Sequence, residues 1–261
     1  MPHAFRSCDT FRNHKMMQRK WVVLGATSVI AEQFAHLAAQ AGNHLCLVAR
    51  NSEQLALISK DIQLRYKTPC DAITINLSEP NEQLLTILET RERELDLFIA
   101  HCDFTDNNHL NPQSIKHLID TNISSTAILI NTYLQSQQEK HRIVYLSSVA
   151  SCRGRAKNSL YGASKAAIEI FLEGLQQKAT PHQHILIVRL GYIDTKQTYG
   201  LPGVFYAAQP HDCAKACWEK INHNKRLFYY PSFWRVVMAI ITKLPFFIYK
   251  RMGKNYVLLS Q

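Results

Sequence analysis

Trp21-Val22-Val23-Leu24-Gly25-Ala26-Thr27-Ser28-Val29-Ile30-Ala31 is the stretch on which the reading of the fold turns. Its four leading apolar residues show no polar alternation and are too few for a helix, so they read as a strand buried on both faces. Gly25 permits a tight turn, and small residues behind it lead into a helix. A helix starting there offers unpaired backbone N–H groups and a positive dipole end to a pyrophosphate. Thr27 and Ser28 add hydroxyl donors. The turn alone leaves two readings open, because a plain strand-to-helix connection has the same look. Only one glycine of a three-glycine loop is present.

The same unit recurs along the chain. Apolar runs at Trp21–Leu24, His44–Ala49, Ala72–Ile75, Leu95–Ala100, Ile143–Leu146 and Ile185–Leu190 alternate with amphipathic segments near 30–41, 52–66, 81–93, 115–138 and 160–178. This strand–helix alternation predicts an α/β fold, a doubly wound parallel sheet of Rossmann type with right-handed crossovers. Residues 20–230 are expected to form that single domain, with Arg226–Tyr230 as a further strand ended by Pro231. Residues 1–19 read as a disordered extension or an upstream mis-start, since Met16 and Met17 immediately precede the first strand. Residues 231–261 read as a short helical, amphipathic, basic-aromatic extension. Its longest uncharged run, Val236–Thr242, falls far short of the roughly 20 residues that span a bilayer.

Composition narrows the class. With 46% hydrophobic and 19% charged residues, the chain is globular rather than disordered or fibrous. The net charge of +10 resides at its ends. Residues 1–20 hold five bases against Asp9, and residues 220–261 hold eight bases and no acid, which leaves the body at −2. A nearly neutral body without an aromatic stacking platform argues against a nucleic-acid partner. The seven cysteines include no CxxC pair, and read as small buried hydrophobes in a reducing, cytoplasmic compartment. His211, Cys213 and Cys217 approach a metal pattern but lack a second ligand pair, so no metal is expected.

Chemistry concentrates in Tyr161-Gly162-Ala163-Ser164-Lys165, which stacks a tyrosine and a lysine at i, i+4 on one helix face. A phenol with an ordinary pKa of about 10 needs a neighbouring cation to work as acid or base near neutrality. Lys165 supplies one. Ser148, at the end of the fifth apolar run, stands where a loop returns its hydroxyl to the same place. Arg50 follows the second run, where the ribose of a dinucleotide would lie, and suits a 2′-phosphate. That favours NADP(H) over NAD(H), against the plainer reading of a solvated arginine at a strand end.

Taken together and in this order, from about Trp21 to Leu201, these residues resemble the short-chain dehydrogenase/reductase family. The resemblance implies a general acid for ketone reduction at Tyr161, and a Lys165 that lowers its pKa and binds the nicotinamide ribose. It further implies that Ser148 orients the substrate carbonyl and that Asn122, in Thr121-Asn122-Ile123, holds the water of a proton relay. Implied cofactor contacts are Gly25, Thr27, Ser28, Ile30, Arg50, Asn76, Leu77, Ala100, Tyr161, Lys165, Ile193 and Thr195. The sequence also departs from the family pattern. Val29 and Ala31 replace two glycines, Asn76-Leu77 an Asp-Val pair, Ile99-Ala100-His101-Cys102 an Asn-Asn-Ala-Gly signature, and Leu190 a proline. His101 is expected to pack near the adenosine rather than serve as a base.

The basic tail has three readings: a lid over the substrate pocket, a peripheral membrane contact through Trp234, Phe246, Phe247 and Tyr249, or a subunit interface in a homo-oligomer. Its Tyr-Pro-x-x-Trp-Arg and Leu-Pro-Phe-Phe-Ile elements resemble tails in the subgroup of the decaprenylphosphoryl 2-keto-pentose reductase. That resemblance implies a lipid-linked keto-sugar substrate at the inner face of a membrane. A 3-oxoacyl or other secondary-alcohol substrate is the alternative among enzymes. A non-catalytic dinucleotide-binding sensor is the alternative outside them, disfavoured because all four of Asn122, Ser148, Tyr161 and Lys165 are present.

Overall fold

The computed structural model of the chain describes residues 19–78, 82–89, 93–195 and 206–258, with side chains of the last helix described as far as Gly253. Seven strands run through it: β1 Lys20–Leu24, β2 His44–Ala49, β3 Cys70–Thr74, β4 Leu95–Ile99, β5 His141–Ser148, β6 Gln183–Leu190 and β7 Leu227–Tyr230. They pair in parallel in the order β3-β2-β1-β4-β5-β6-β7. The helices are α1 Val29–Gln40, α2 Ser52–Tyr66, α3 Glu82–Glu89, α4 Pro112–Ile119, α5 Thr126–Gln135, α6 Ser159–Lys178, α7 Pro210–Asn222, α8 Trp234–Lys243 and α9 Phe246–Leu258. The doubly wound parallel sheet expected from the alternation is the fold observed.

Successive strand residues face opposite sides of a sheet, so a sheet covered twice needs apolar residues at every position. Trp21 and Val23 enter one cluster with Phe34 of α1, Leu55 of α2 and Cys217 of α7. Val22 and Leu24 enter the other with Leu84 of α3, Tyr133 of α5 and Leu172 of α6. Phe34 and Phe98 stack with ring centroids 4.0 Å apart, which ties α1 to β4.

Three local readings change. The Ala72–Ile75 run is displaced: β3 begins at Cys70 and is largely exposed, because as the sheet edge it has a partner on one side only. The helix read across 115–138 breaks into α4, a π-helical turn at Asp120–Ser125, and α5. Arg19, grouped above with the extension, is anchored to the body: its Nε and Nη2 donate to Asp96 at 2.7 Å each, and its Nη1 to Glu94.

The strand order reverses at β1, whose neighbours are β2 and β4. Chain connections leave β1 and β4 in opposite directions there, which opens a crevice at the carboxyl ends of these strands.

Candidate active site

The crevice is floored by the turn after β1. Gly25 has φ +78°, and a Cβ placed on it would come within 2.6 Å of the His101 backbone nitrogen. The approach is that close because Ala100 and His101 both donate their N–H to the Leu24 carbonyl, at 2.9 and 3.1 Å. Glycine is therefore required twice, by dihedral and by space. Ser28 stands at the N-cap of α1, and its side chain makes no capping bond.

The implied cofactor contacts separate into two groups. Ile30 and Ile193 join the α1 side of the core and Leu77 the opposite side, so their side chains are mostly buried in packing. Ile193 also forms a bridge with Ala208. Thr27, Ala100 and Thr195 are half-buried, while Asn76 and Arg50 are exposed. Asn76 accepts from the Ser78 N–H at 3.3 Å. Arg50 directly follows β2, just before Asn51, which caps α2 by accepting from the Gln54 N–H at 3.0 Å.

His101 is nearly buried. Its Nε2 lies 3.0 Å from the Thr126 hydroxyl, and its Nδ1 is buried without a partner among the described residues. Burial, reinforced by the Lys165 charge, lowers its pKa to about 3. An imidazole with a pKa near 3 is too weak a base to hold a proton at working pH. Its place beside the Gly25 turn, within electrostatic reach of Lys165, sets it on the catalytic side of the crevice. A buried nitrogen without a partner, next to a glycine cradle, fits the polar face of a bound dinucleotide.

Ser148, Tyr161 and Lys165 come together at the carboxyl edge. Ser148 ends β5, its hydroxyl accepts from the Ala150 N–H at 3.1 Å, and it lies within electrostatic reach of the Tyr161 phenol. Tyr161 is half-buried and carries Phe104 edge-on, with centroids 5.2 Å apart. Lys165 is buried, donates from Nζ to the Leu146 carbonyl at 2.9 Å, and lies 5.9 Å from the Tyr161 ring centroid. An ammonium has three donors, and that carbonyl takes one. Burial lowers the Lys165 pKa, opposed by Cys102 and Glu169. The expected lowering of the Tyr161 pKa is not what this site produces. Burial and then Cys102 raise it well above the ordinary phenol value, against smaller opposing effects of Ser148 and Arg155. The phenol keeps its proton at neutral pH, the state a proton donor needs.

Asn122 lies in the π-helical turn, a form that recurs at functional sites. Its Oδ1 accepts from the Asp103 N–H at 2.7 Å, and its Nδ2 donates to the Asp103 carbonyl at 2.9 Å and the Ser164 hydroxyl at 3.0 Å. Both amide protons are used by these contacts. The side chain clamps the segment after β4 to α6, one residue before Lys165.

Glu169 escaped the sequence reading. It is buried, accepts from the hydroxyls of Ser147 and Ser151, and receives Arg189 through Nε at 2.9 Å and Nη2 at 2.6 Å. Arg189 also donates to the Tyr229 hydroxyl at 2.6 Å. This network holds α6 to the ends of β5, β6 and β7. The available signal was spacing, since Tyr161, Lys165 and Glu169 recur every four residues on one helix face. Trp234, which one reading of the tail placed against a membrane, packs inward: a Cβ on Gly191 would overlap its indole, so α8 closes directly over the end of β6.

Comparison with known proteins agrees with this geometry. The short chain dehydrogenase family matches the chain over residues 19–201. Hydroxysteroid dehydrogenase-like protein 1 of Gallus gallus is 30% identical over 167 residues, 60% of this chain and 50% of that protein. Inactive hydroxysteroid dehydrogenase-like protein 1 of Homo sapiens is 28% identical over 169 residues, with the same coverage. The chain thus spans half the length of these two relatives. A short-chain dehydrogenase from Sphingobium yanoikuyae in complex with NADPH superposes with a TM-score of 0.73 at 18% identity, over 87% of this chain and 96% of that one. At that identity the likeness concerns the fold.

Proposed function

Since the chain belongs to the short chain dehydrogenase family, we propose that it is an NADP(H)-dependent oxidoreductase reducing a ketone to a secondary alcohol, with Tyr161 as proton donor. The observation that carries this reading is the gathering of Ser148, Tyr161 and buried Lys165 at the rim of the crevice, with the Lys165 Nζ 5.9 Å from the Tyr161 ring centroid. Tyr161 would deliver its proton to the developing alkoxide oxygen while Ser148 holds the carbonyl in line. Lys165 would donate to the ribose, the Gly25 turn and the amino end of α1 would accept the pyrophosphate, and exposed Arg50 would meet the 2′-phosphate. When bound, the nicotinamide supplies the hydride.

Phe104 and Tyr206 are exposed, and Tyr206 lies 6.1 Å from the Phe233 ring. These aromatic surfaces favour a large apolar carbonyl compound, and the hydroxysteroid names among the relatives point the same way. The tail motifs favour a lipid-linked keto-sugar within that class; a 3-oxoacyl substrate is the narrower alternative. The segment 196–205, which follows Thr195, lies outside the described residues.

A second reading, a non-catalytic dinucleotide sensor, draws on the human relative named inactive. The juxtaposed Ser148, Tyr161 and Lys165 speak against it. Titration with NADPH and NADH, followed by NADPH oxidation against a panel of apolar ketones, tests both. NADPH binding with no turnover on any ketone would favour the sensor. Absence of NADPH binding would sink both. Arg50→Ala should weaken NADPH by roughly tenfold or more and leave NADH unchanged, as loss of a charge-assisted phosphate contact requires.

A further inference from the structure

We infer that the outward face of the α8–α9 pair docks on an anionic lipid surface. The face begins with helical phase. In α8, Trp234 and Met238 are buried with Val149, and Val237 and Ile241 pack against them. Arg235, Val236, Ala239, Ile240 and Lys243 are left outside. The start of α9 adds Phe246 at 72% and Phe247 at 74% exposure, with Lys250 and Arg251 beside them. Single exposed apolar residues are ordinary on protein surfaces, whereas Val236, Ile240, Phe246 and Phe247 concentrate exposed apolar side chains on two consecutive helices.

The charge selects the occupant. Residues 220–261 contain no acid, and the bases on these two helices interleave with the apolar side chains, the pattern of a helix lying in a lipid headgroup layer. A second copy meeting the same patch across a two-fold axis would oppose like charges. No helix among the described residues is long and apolar enough to cross a membrane, so the contact would be peripheral.

The patch is also held rigidly. The Arg153 guanidinium stacks 3.9 Å over the Tyr249 ring and donates to the carbonyls of Ile241 and Leu244, the latter at 2.9 Å. Tyr249 donates its hydroxyl to the Gly154 carbonyl at 2.7 Å. Trp234 and Tyr249, which the membrane reading of the tail would place in the lipid, are therefore engaged with the protein itself. Val236, Ile240, Phe246 and Phe247 remain. Arg153 and Gly154 lie on the segment joining Ser148 to Tyr161, so a bilayer held here would adjoin the crevice rim. Docking stands apart from the proposed reductase activity; only delivery of a membrane-dissolved ketone to that rim rests on it.

The test is co-sedimentation of the full chain with vesicles of phosphatidylcholine alone or with one third phosphatidylglycerol. Binding to the anionic vesicles that weakens in high salt is expected. Phe246→Ser with Phe247→Ser should lower the partition coefficient by roughly tenfold or more. Lys243→Glu with Lys250→Glu should remove the preference for anionic lipid, again by about tenfold or more. Hydrogen exchange of the unmodified protein should slow across 235–252 when vesicles are added, a readout that needs no variant. Wild-type protein that ignores anionic vesicles, protection confined elsewhere, or folded variants that bind unchanged would overturn the inference. So would a dimer that the phenylalanine variant splits into monomers, because the patch would then be a subunit interface. Oxidation of NADPH with a water-soluble ketone should be the same in all these variants, so a failed docking surface and a failed reductase reading are seen separately.

Discussion

The two ends of the sheet use the same chemical device to different effect. At the amino ends of the strands, fully buried Asp96 is held by two arginines: Arg19 at 2.7 Å through two nitrogens, and Arg142 at 2.9 and 2.5 Å. Arg142 also lies 5.2 Å over the Trp21 ring and donates to Asn222. At the carboxyl ends, buried Glu169 is held by Arg189 and two serines. The catalytic side of the sheet also holds buried polar atoms with no partner among the described residues: the Tyr145 hydroxyl within electrostatic reach of Glu169, His101 Nδ1 just after β4, and Thr121 Oγ1 and Ser125 Oγ in the π-helical turn. The amino end leaves the Trp21 indole nitrogen. Buried polar groups without partners lower stability and persist where something else requires them. The comparison teaches that one buried ion pair serves cohesion and the other supports a site.

Substitutions can break or sharpen that contrast. Tyr161→Phe, at the carboxyl end, should cost roughly 10²- to 10⁴-fold in turnover of any ketone substrate. Its thermal stability should stay within about 1 kcal/mol of the parent; unfolding in place of inactivation would undo the contrast. Asp96→Ala, at the opposite end, should strand two arginine charges and cost about 3–5 kcal/mol, a fall in Tm on the order of 10 °C. NADPH affinity measured below the transition should be unchanged. Glu169→Gln should fall between, losing about 1–3 kcal/mol of stability with the charge on its Arg189 hydrogen bonds. Because Glu169 positions α6 beneath Tyr161 and Lys165, it should also lower kcat and shift its pH profile. A drop in Tm alone would make it merely structural.

The smallest effect concerns pH. His101 is neutral when folded, with a pKa near 3, and takes up a proton near its ordinary value of 6.5 when unfolded. A proton bound only by the unfolded chain lowers stability as pH falls, so the His101 contribution is intact above about 6.5 and declines from there toward 3. Between pH 7 and 5 the loss is on the order of 2 kcal/mol. His101→Asn should flatten this part of the acid limb in denaturant melts. An identical slope in the variant would show that the ring is not the group responsible.

Much of the site was legible because its signals are local. The i, i+4 spacing of Tyr161 and Lys165 needs only a helix, and Ser148 needs only a strand end. Arg50 needs the length of one strand–helix–strand unit. The burial of Ile30, Leu77 and Ile193 was not legible in the same way: a motif names positions along the chain, whereas burial depends on which face meets the core. The π-helical turn at Asn122 was invisible because a residue pattern reports that a segment is helical, whereas a π turn is defined by which backbone groups pair. Its consequence, an Asn122 side chain spent on Asp103 and Ser164, follows from contacts made across 19 and 42 residues.

The sequence by itself determined the doubly wound parallel sheet, the glycine turn and the order in which Ser148, Tyr161 and Lys165 arrive. Each rests on hydrophobic periodicity or spacing within one element or one crossover, and such signals do not depend on the rest of the chain. The tertiary structure alone decided that burial raises the Tyr161 pKa and that Glu169 finds Arg189. It also decided that Trp234 turns inward onto Gly191 while Phe246 and Phe247 stay outside. Those outcomes depend on which atoms lie within a few ångströms across long stretches of chain, where desolvation and charge act strongly and a linear pattern carries no distance.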